Sequence, residues 1–232
     1  MKKALLIFSI IFCVMTTFAQ SSFYVYKTDG STTEYLINEV DSISFVAPAP
    51  TPGIENGYEW VDLGLSVNWA TCNVGANKPE ESGNYYAWGE TTPKITYNSS
   101  TYTYTSNPST LPLNKDAASV NMGGSWRMPT KAELDELRTE CTWTWTYDYN
   151  GTGVAGGIVI SKINGNSIFL PAAGCRFDSG LSSAGSYGYY WSSSLYSYYS
   201  DNVCYLSFYS GGVSWGSDDY RYVGRSVRGV CP

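Results

Sequence analysis

From residue 57 to residue 232 the chain is a succession of short runs rich in Tyr, Trp, Val, Ile and Ser, broken repeatedly by Gly and Asn. β-Branched and aromatic side chains suit a pleated, half-buried surface, and the frequent interruptions leave no room for long helices. The pattern predicts a β-rich domain with long irregular loops. One helix stands out against it. At Pro129-Thr130-Lys131-Ala132-Glu133, Thr130 can cap the free backbone N–H groups while Glu133 reaches back, a capping box. Leu134, Leu137 and Cys141 are expected to follow on one helical face. A second, shorter helix is expected near Asp116 to Val120.

The N-terminus has the three parts of an export signal. Met1-Lys2-Lys3 is followed by an apolar run from Ala4 to Met15 and by Thr17-Phe18-Ala19 before Gln20. The run is shorter than the roughly 20 residues of a membrane-spanning helix, and no second long apolar stretch follows. Ile10-Ile11-Phe12 precede Cys13 where a lipoprotein signal would carry small residues, so Cys13 reads as an apolar residue of the leader. The expected destination is the extracellular space, the cell surface or the periplasm, without a transmembrane segment.

After the leader, the runs 23–27 and 32–37 flank Asp29-Gly30, a dipeptide suited to a tight hairpin turn. A third run, Ser42-Ile43-Ser44-Phe45-Val46, alternates polar with apolar. Three short strands bury little, so this unit reads as an appended attachment segment. The prolines of Ala47-Pro48-Ala49-Pro50-Thr51-Pro52-Gly53 then favour an extended spacer. The expected organisation is a leader over 1–19, a hairpin segment over 20–46, a linker over 47–56 and one main domain over 57–232.

Charge and missing residue types narrow the chemistry. Fourteen Lys and Arg side chains stand against 20 Asp and Glu, a formal charge of −6 that becomes −8 once Lys2 and Lys3 leave with the leader. Such a chain is repelled by phosphate backbones and anionic membranes, so nucleic acid is not an expected partner. Histidine is absent, which removes the commonest general base and the commonest metal ligand. Cys72, Cys141, Cys175, Cys204 and Cys231 remain after the leader, none in a C-x-x-C clamp, so a zinc site is not expected. Exported cysteines can pair; Cys175 with Cys204 is one candidate among several.

Six motifs in order resemble a known family. They are the stretches 61–70 (Val61 to Ala70), Tyr86-Ala87-Trp88-Gly89-Glu90, Trp126-Arg127-Met128-Pro129-Thr130, 169–174 (Phe169 to Gly174), Tyr190-Trp191-Ser192-Ser193-Ser194 and Ser226-Val227-Arg228-Gly229-Val230. Together they resemble the Fibrobacter succinogenes major paralogous domain, related in fold to formylglycine-generating enzymes and to C-type lectins. Gly229 stands where the family usually has proline. The resemblance implies an α+β, C-type-lectin-like fold over most of residues 57–232. The segment from Tyr24 to Phe45 is similar to a short leader on exported Bacteroidetes proteins. The stretch after Trp191 is similar in character to the variable proteins of diversity-generating retroelements, with display positions alternating with scaffold positions such as Val203, Leu206, Phe208 and Val213.

The resemblance does not carry an enzyme's residues with it. Formylglycine-generating enzymes use a nearby cysteine pair as copper ligands, whereas Cys204 and Cys231 stand 27 residues apart. The triplets that hold calcium in sugar-binding lectins of this fold do not occur. No cofactor and no metal is therefore expected, and Asp218-Asp219 reads as a solvated loop pair more readily than as a calcium or glycosidase site. Trp60, Trp69, Trp88, Trp126 and Trp191 are expected in the core. Arg127, Arg225 and Arg228 are expected to pair with acids such as Glu90 or Asp62 inside the scaffold. The candidate ligand-binding residues are Tyr187, Tyr189, Tyr196, Tyr198, Tyr199, Asp201, Asn202, Tyr209, Trp215, Asp218, Asp219 and Tyr220. Exposed Tyr and Trp beside Asp and Asn can stack on sugars or anchor a protein contact. The leading expectation is a non-catalytic binding protein for a glycan or a protein. Its rivals are a building block of a surface assembly and a divergent enzyme of the formylglycine-generating type.

Overall fold

A computed structural model describes residues 22–26, 30–39, 52–195, 203–218 and 220–232, with the backbone alone at 217 and 218. The chain divides into two units, Met1–Pro48 and Ala49–Pro232, so the break falls inside the proline-rich segment. In the first unit β1 (Ser22–Tyr26) pairs antiparallel with β2 (Thr32–Leu36), and Phe23 stacks on its cross-strand partner Tyr35 at 5.3 Å. Tyr24, Val25, Tyr26, Tyr35 and Leu36 remain exposed, as expected of two strands too short to enclose a core. The run 42–46 and the whole leader lie outside the described residues.

In chain order, the second unit contains β3 (Gly53–Glu55), β4 (Tyr58–Val61), β5 (Asn68–Asn73), α1 (Ala117–Met122), α2 (Lys131–Thr139), β6 (Cys141–Thr146), β7 (Gly156–Ser161) and β8 (Ser167–Pro171). There follow β9 (Cys175–Phe177), β10 (Gly180–Ser182), β11 (Tyr187–Leu195), β12 (Val203–Tyr209), β13 (Gly212–Asp218) and β14 (Arg228–Cys231). The sheets are β14-β5-β4-β3, β6-β7-β8, β11-β12-β13 and the small pair β10-β9. The fold is thus α+β and mostly β. Asn56 and Gly57 both take positive φ in the two-residue link between β3 and β4, the conformation that an Asn-Gly hairpin turn demands. None of the described helices is long and apolar enough to cross a membrane.

Both expected helices form. The Asp116 carboxylate accepts from the Ser119 N–H at 2.9 Å and caps α1. Thr130 and Glu133 form the reciprocal capping box of α2. Arg127 clamps Glu133 from outside, donating from Nη1 at 2.8 Å. Burial pushes the Glu133 pKa up, but the Arg127 fork and the Thr130 N–H outweigh it and hold it below the ordinary value. Leu134 and Leu137 are buried as expected. Cys141 is not on the helix: α2 ends at Thr139, and Cys141 opens β6 as a buried residue.

Two apolar clusters hold these layers. In one, Leu134 and Leu137 meet Trp69, Val159, Leu170, Tyr190, Leu206, Phe208 and Val230 between the sheets. In the other, Trp88, Trp126, Trp191, Met122, Val203 and Val227 pack beside α1. Trp69, Trp88, Trp126 and Trp191 are fully buried, while Trp60 is half-buried at the edge of the second cluster. Gly229 sits at a register shift between β14 and β5, and a Cβ there would meet Met122 Sδ at 2.8 Å. A side chain there would have to displace the Met122 thioether beside the Trp126 ring.

The arginines do not all find acids. Arg127 does, in Glu133, but Glu90 pairs with Lys94 at 2.6 Å and Asp62 accepts from the Gly64 N–H. Arg228, fully buried, instead donates to Asn73 Oδ1 and to the carbonyls of Ala70, Thr71 and Phe169, riveting β14 to β5 and β8. Five fixed donors let a guanidinium satisfy several carbonyls at once, which no ammonium can. Arg225 stacks on aromatic rings, as described below. No disulfide joins the described cysteines: Cys204 is buried in β12, and the candidate bridge to Cys175 in β9 is not formed.

Candidate functional site

Strand alternation divides the β11-β12-β13 sheet into two unlike faces. The cross-strand register places Tyr187 opposite Tyr209, Tyr189 opposite Ser207 and Trp191 opposite Tyr205, then Tyr209 opposite Gly212, Ser207 opposite Ser214 and Tyr205 opposite Gly216. All of these share one face. The other face carries Tyr190, Leu206, Phe208, Val213 and Trp215 and packs on α2 and the β6-β7-β8 sheet. The scaffold positions Val203, Leu206 and Phe208 are buried as expected, and Val213 packs against the core.

On the first face the tyrosine rings form a row. Tyr187 lies 5.7 Å from Tyr189, with planes within 2°, and 5.2 Å from Tyr209. Tyr189 meets Tyr205 edge-on at 6.0 Å. Tyr187 and Tyr209 are exposed, at 37% and 43%, while Tyr189 and Tyr205 are half-buried. At the far end the row passes under cover: the Arg225 guanidinium lies 3.5 Å from the Tyr205 ring centroid and 4.2 Å from that of Trp191. A cation on aromatic faces, shielded from water, anchors the row at its inner end. Gly216 makes this arrangement possible, since a Cβ there would come within 2.0 Å of Tyr205 Cζ. The ring lies flat across β13.

Of the candidate residues, Tyr187, Tyr189 and Tyr209 are therefore brought together. Tyr220 is exposed but belongs to a separate group, 5.5 Å from Tyr222, which in turn meets Phe177. Tyr196, Tyr198, Tyr199, Asp201, Asn202 and Asp219 lie outside the described residues. Asp218 is placed by its backbone alone, opposite Val203.

Trp215 corrects the sequence reading. It does not project as a free ring but alternates with Val213 on the inward face, half-buried against the core. Its Nε1 donates to Asp135 Oδ1 at 2.9 Å, and Lys131 Nζ lies 4.5 Å from its ring. Trp215 thus docks β13 onto the first turn and a half of α2. Burial raises the Asp135 pKa, but hydrogen bonds from Trp215 and Arg138 more than offset it and keep the carboxyl below its ordinary value.

Sequence reasoning missed Tyr205, Ser207, Ser214 and the stacked Arg225. Alternation could have found the first two: Tyr187, Tyr189 and Trp191 recur at every second position, as do Tyr205, Ser207 and Tyr209. The row offers phenol hydroxyls that donate and accept, together with ring surface, and burial pushes the Tyr189 pKa up. It offers no activated nucleophile. The buried thiols of Cys141 and Cys231 are pushed up by burial to about 11, and Cys204 moves the same way, the opposite of what thiolate chemistry requires. Among the described residues no group of three His, Cys, Asp or Glu side chains converges to hold a metal. Comparison with models of protein families, with curated proteins and with solved structures returns no match.

Proposed function

We propose that this chain is an exported, non-catalytic binding protein whose ligand, a glycan or a protein, lies along the tyrosine row of β11 and β12. The supporting observation is the division of one sheet into a fixed apolar face and a half-exposed aromatic face. The inward face is locked by Leu206, Phe208 and Trp215, so the outward side chains can vary or engage a ligand without disturbing the core. Tyrosines already stacked on one another lose little freedom on binding, which favours affinity. Export rests on the 1–19 leader. A C-type-lectin-like scaffold is the fold we infer for residues 57–232, supported by the motif resemblance, the two short helices and the long stretch between β5 and α1 that contains no α-helix or extended strand.

The test is a binding screen of the parent beside a Tyr187→Ala, Tyr209→Ala double variant against a glycan array and a panel of extracellular proteins. Both rings are exposed, so the fold should survive. A ligand bound by the parent should weaken at least about tenfold, as expected when an aromatic anchor is truncated. Equal binding by the two proteins would remove the row from the site.

A further inference from the structure

The exposed end of the tyrosine row has the geometry for a covalent change that does not depend on what the row binds. Four tyrosine–tyrosine ring contacts occur among the described residues: Tyr187 with Tyr189, Tyr187 with Tyr209, Tyr189 with Tyr205 and Tyr220 with Tyr222. In the second alone both rings are exposed, since Tyr189, Tyr205 and Tyr222 are each half-buried. Tyr187 and Tyr209 are direct cross-strand partners, a placement that sets their Cβ atoms about 5 Å apart. Their rings are held 5.2 Å apart, with planes inclined at 25°. Rotation about the soft χ2 of each ring can bring the two edges together while the strands stay paired.

Exposure matters because a phenol that loses an electron must also lose its proton, and water is the acceptor at hand. Neither the Tyr187 nor the Tyr209 hydroxyl is held by another described residue, so both can release that proton. The neighbouring rings differ. Burial pushes the Tyr189 pKa up, and Ser183 engages its hydroxyl. Tyr190, on the opposite face, is fully buried, and its hydroxyl donates to the Pro171 carbonyl at 2.9 Å. Oxidation of the row therefore comes to rest on the two outer rings, which already face one another.

We propose that Tyr187 and Tyr209 form a site of oxidative cross-linking, where a one-electron oxidant joins the two rings by a carbon–carbon bond. The oxidant takes one electron from each phenol, and each hydroxyl proton passes to water. The two phenoxyl radicals pair their odd electrons in a bond between ring carbons ortho to the oxygens. The hydrogens displaced from those carbons move to the oxygens and restore both phenols, so the chain loses two electrons and two protons and gains nothing. The bond ties the first residue of β11 to the last of β12 and fixes the register at the open end of the sheet.

The full chain at micromolar concentration is oxidised with a photogenerated ruthenium(III) complex, which accepts one electron per metal. Dityrosine fluorescence reads the total yield, and mass spectrometry maps the bond. Cleavage before aspartate separates Tyr187, in peptide 178–200, from Tyr209, in peptide 201–217. The expected product is these two peptides joined, lighter than their sum by two hydrogen atoms, with fragment ions placing the bond at Tyr187 and Tyr209. Because the rings are already together, coupling within a chain should exceed coupling between chains at least about tenfold. Tyr187→Phe and Tyr209→Phe keep both rings and should each abolish this product, whereas Tyr189→Phe and Tyr222→Phe should leave it; thermal melts before oxidation confirm each fold. A product that maps to other tyrosines, that forms mainly between chains, or that survives loss of either hydroxyl overturns the site, as does the absence of any product. Phenylalanine retains the stacked ring area, so ligand binding can fail with the cross-link intact, and the reverse.

Discussion

Asp116 should make this protein less stable as pH rises from 4 to 7, against the usual behaviour of a carboxylate that caps a helix. Its side chain is 2% exposed and accepts from the Ser119 and Met128 N–H groups at 2.9 and 2.8 Å. Burial pushes its pKa from 3.8 to about 6, and the backbone donors and the distant Arg127 charge recover only part of the lost hydration. Between those values the folded chain holds a proton that the unfolded chain has released. Stability is therefore fully present below about pH 4 and lost as pH rises through about 6. At about 1.4 kcal/mol per pKa unit the shift is worth about 3 kcal/mol. Asp116→Asn removes the titration and keeps one acceptor, at a cost of about 1–2 kcal/mol that does not depend on pH. Urea unfolding followed by tryptophan fluorescence at pH 4, 5, 6 and 7 reads both proteins, and taking their difference cancels the other carboxylates. The advantage of the parent over the variant should shrink by about 2.4 kcal/mol across this range, the remainder lying below pH 4 where the unfolded carboxyl takes up its own proton. A difference constant to within about 1 kcal/mol, at unchanged m value, would refute the argument that burial outweighs the cap.

Two further outcomes follow from the packing. Gly216→Ala should lower stability by about 1–3 kcal/mol, read as a fall in Tm by calorimetry, because its Cβ would displace the Tyr205 ring from Arg225. Since alanine is otherwise the better strand residue by roughly 0.5–1 kcal/mol, an unchanged or raised Tm would show that the ring does not need that space. Cys141, Cys204 and Cys231 are buried with raised pKa values and should resist an aromatic disulfide reagent at pH 8 until urea is added; rapid labelling of these three in the folded protein would contradict their burial.

How far the sequence reached depends on how local each cause is. α2 was legible because Thr130 and Glu133 act on one another across three residues and leave a spacing that can be read directly. The buried tryptophans were legible because large rings in apolar runs have few other places to go. Trp215 was not: its partner Asp135 lies 80 residues away, and nothing near it in the chain separates a docked indole from an exposed one. Arg228 escaped the sequence for a related reason. An acid is the obvious partner for a cation, yet Arg228 is satisfied by Asn73 and carbonyls 59 to 158 residues away, which leave no charge pattern to read, and the ring faces beside Arg225 leave none either. The aromatic face was half legible. Its tyrosines could be named from composition, but their division between the Tyr187 row and the Tyr220 group depends on strand register.

The pairing of β14 with β5 has a consequence for when the fold can exist at all. Val230 sits opposite Trp69, and Arg228 reaches back to Asn73, so the sheet that opens the domain is completed by residues that emerge some 160 positions later. A chain synthesised in order presents Trp69 and Asn73 long before their partners arrive. Until then the β5 edge is open and the Asn73 amide waits for its cation. The long sequence separation acts as a timer: it keeps the sheet that opens the domain unfinished until Arg228 arrives to lock it.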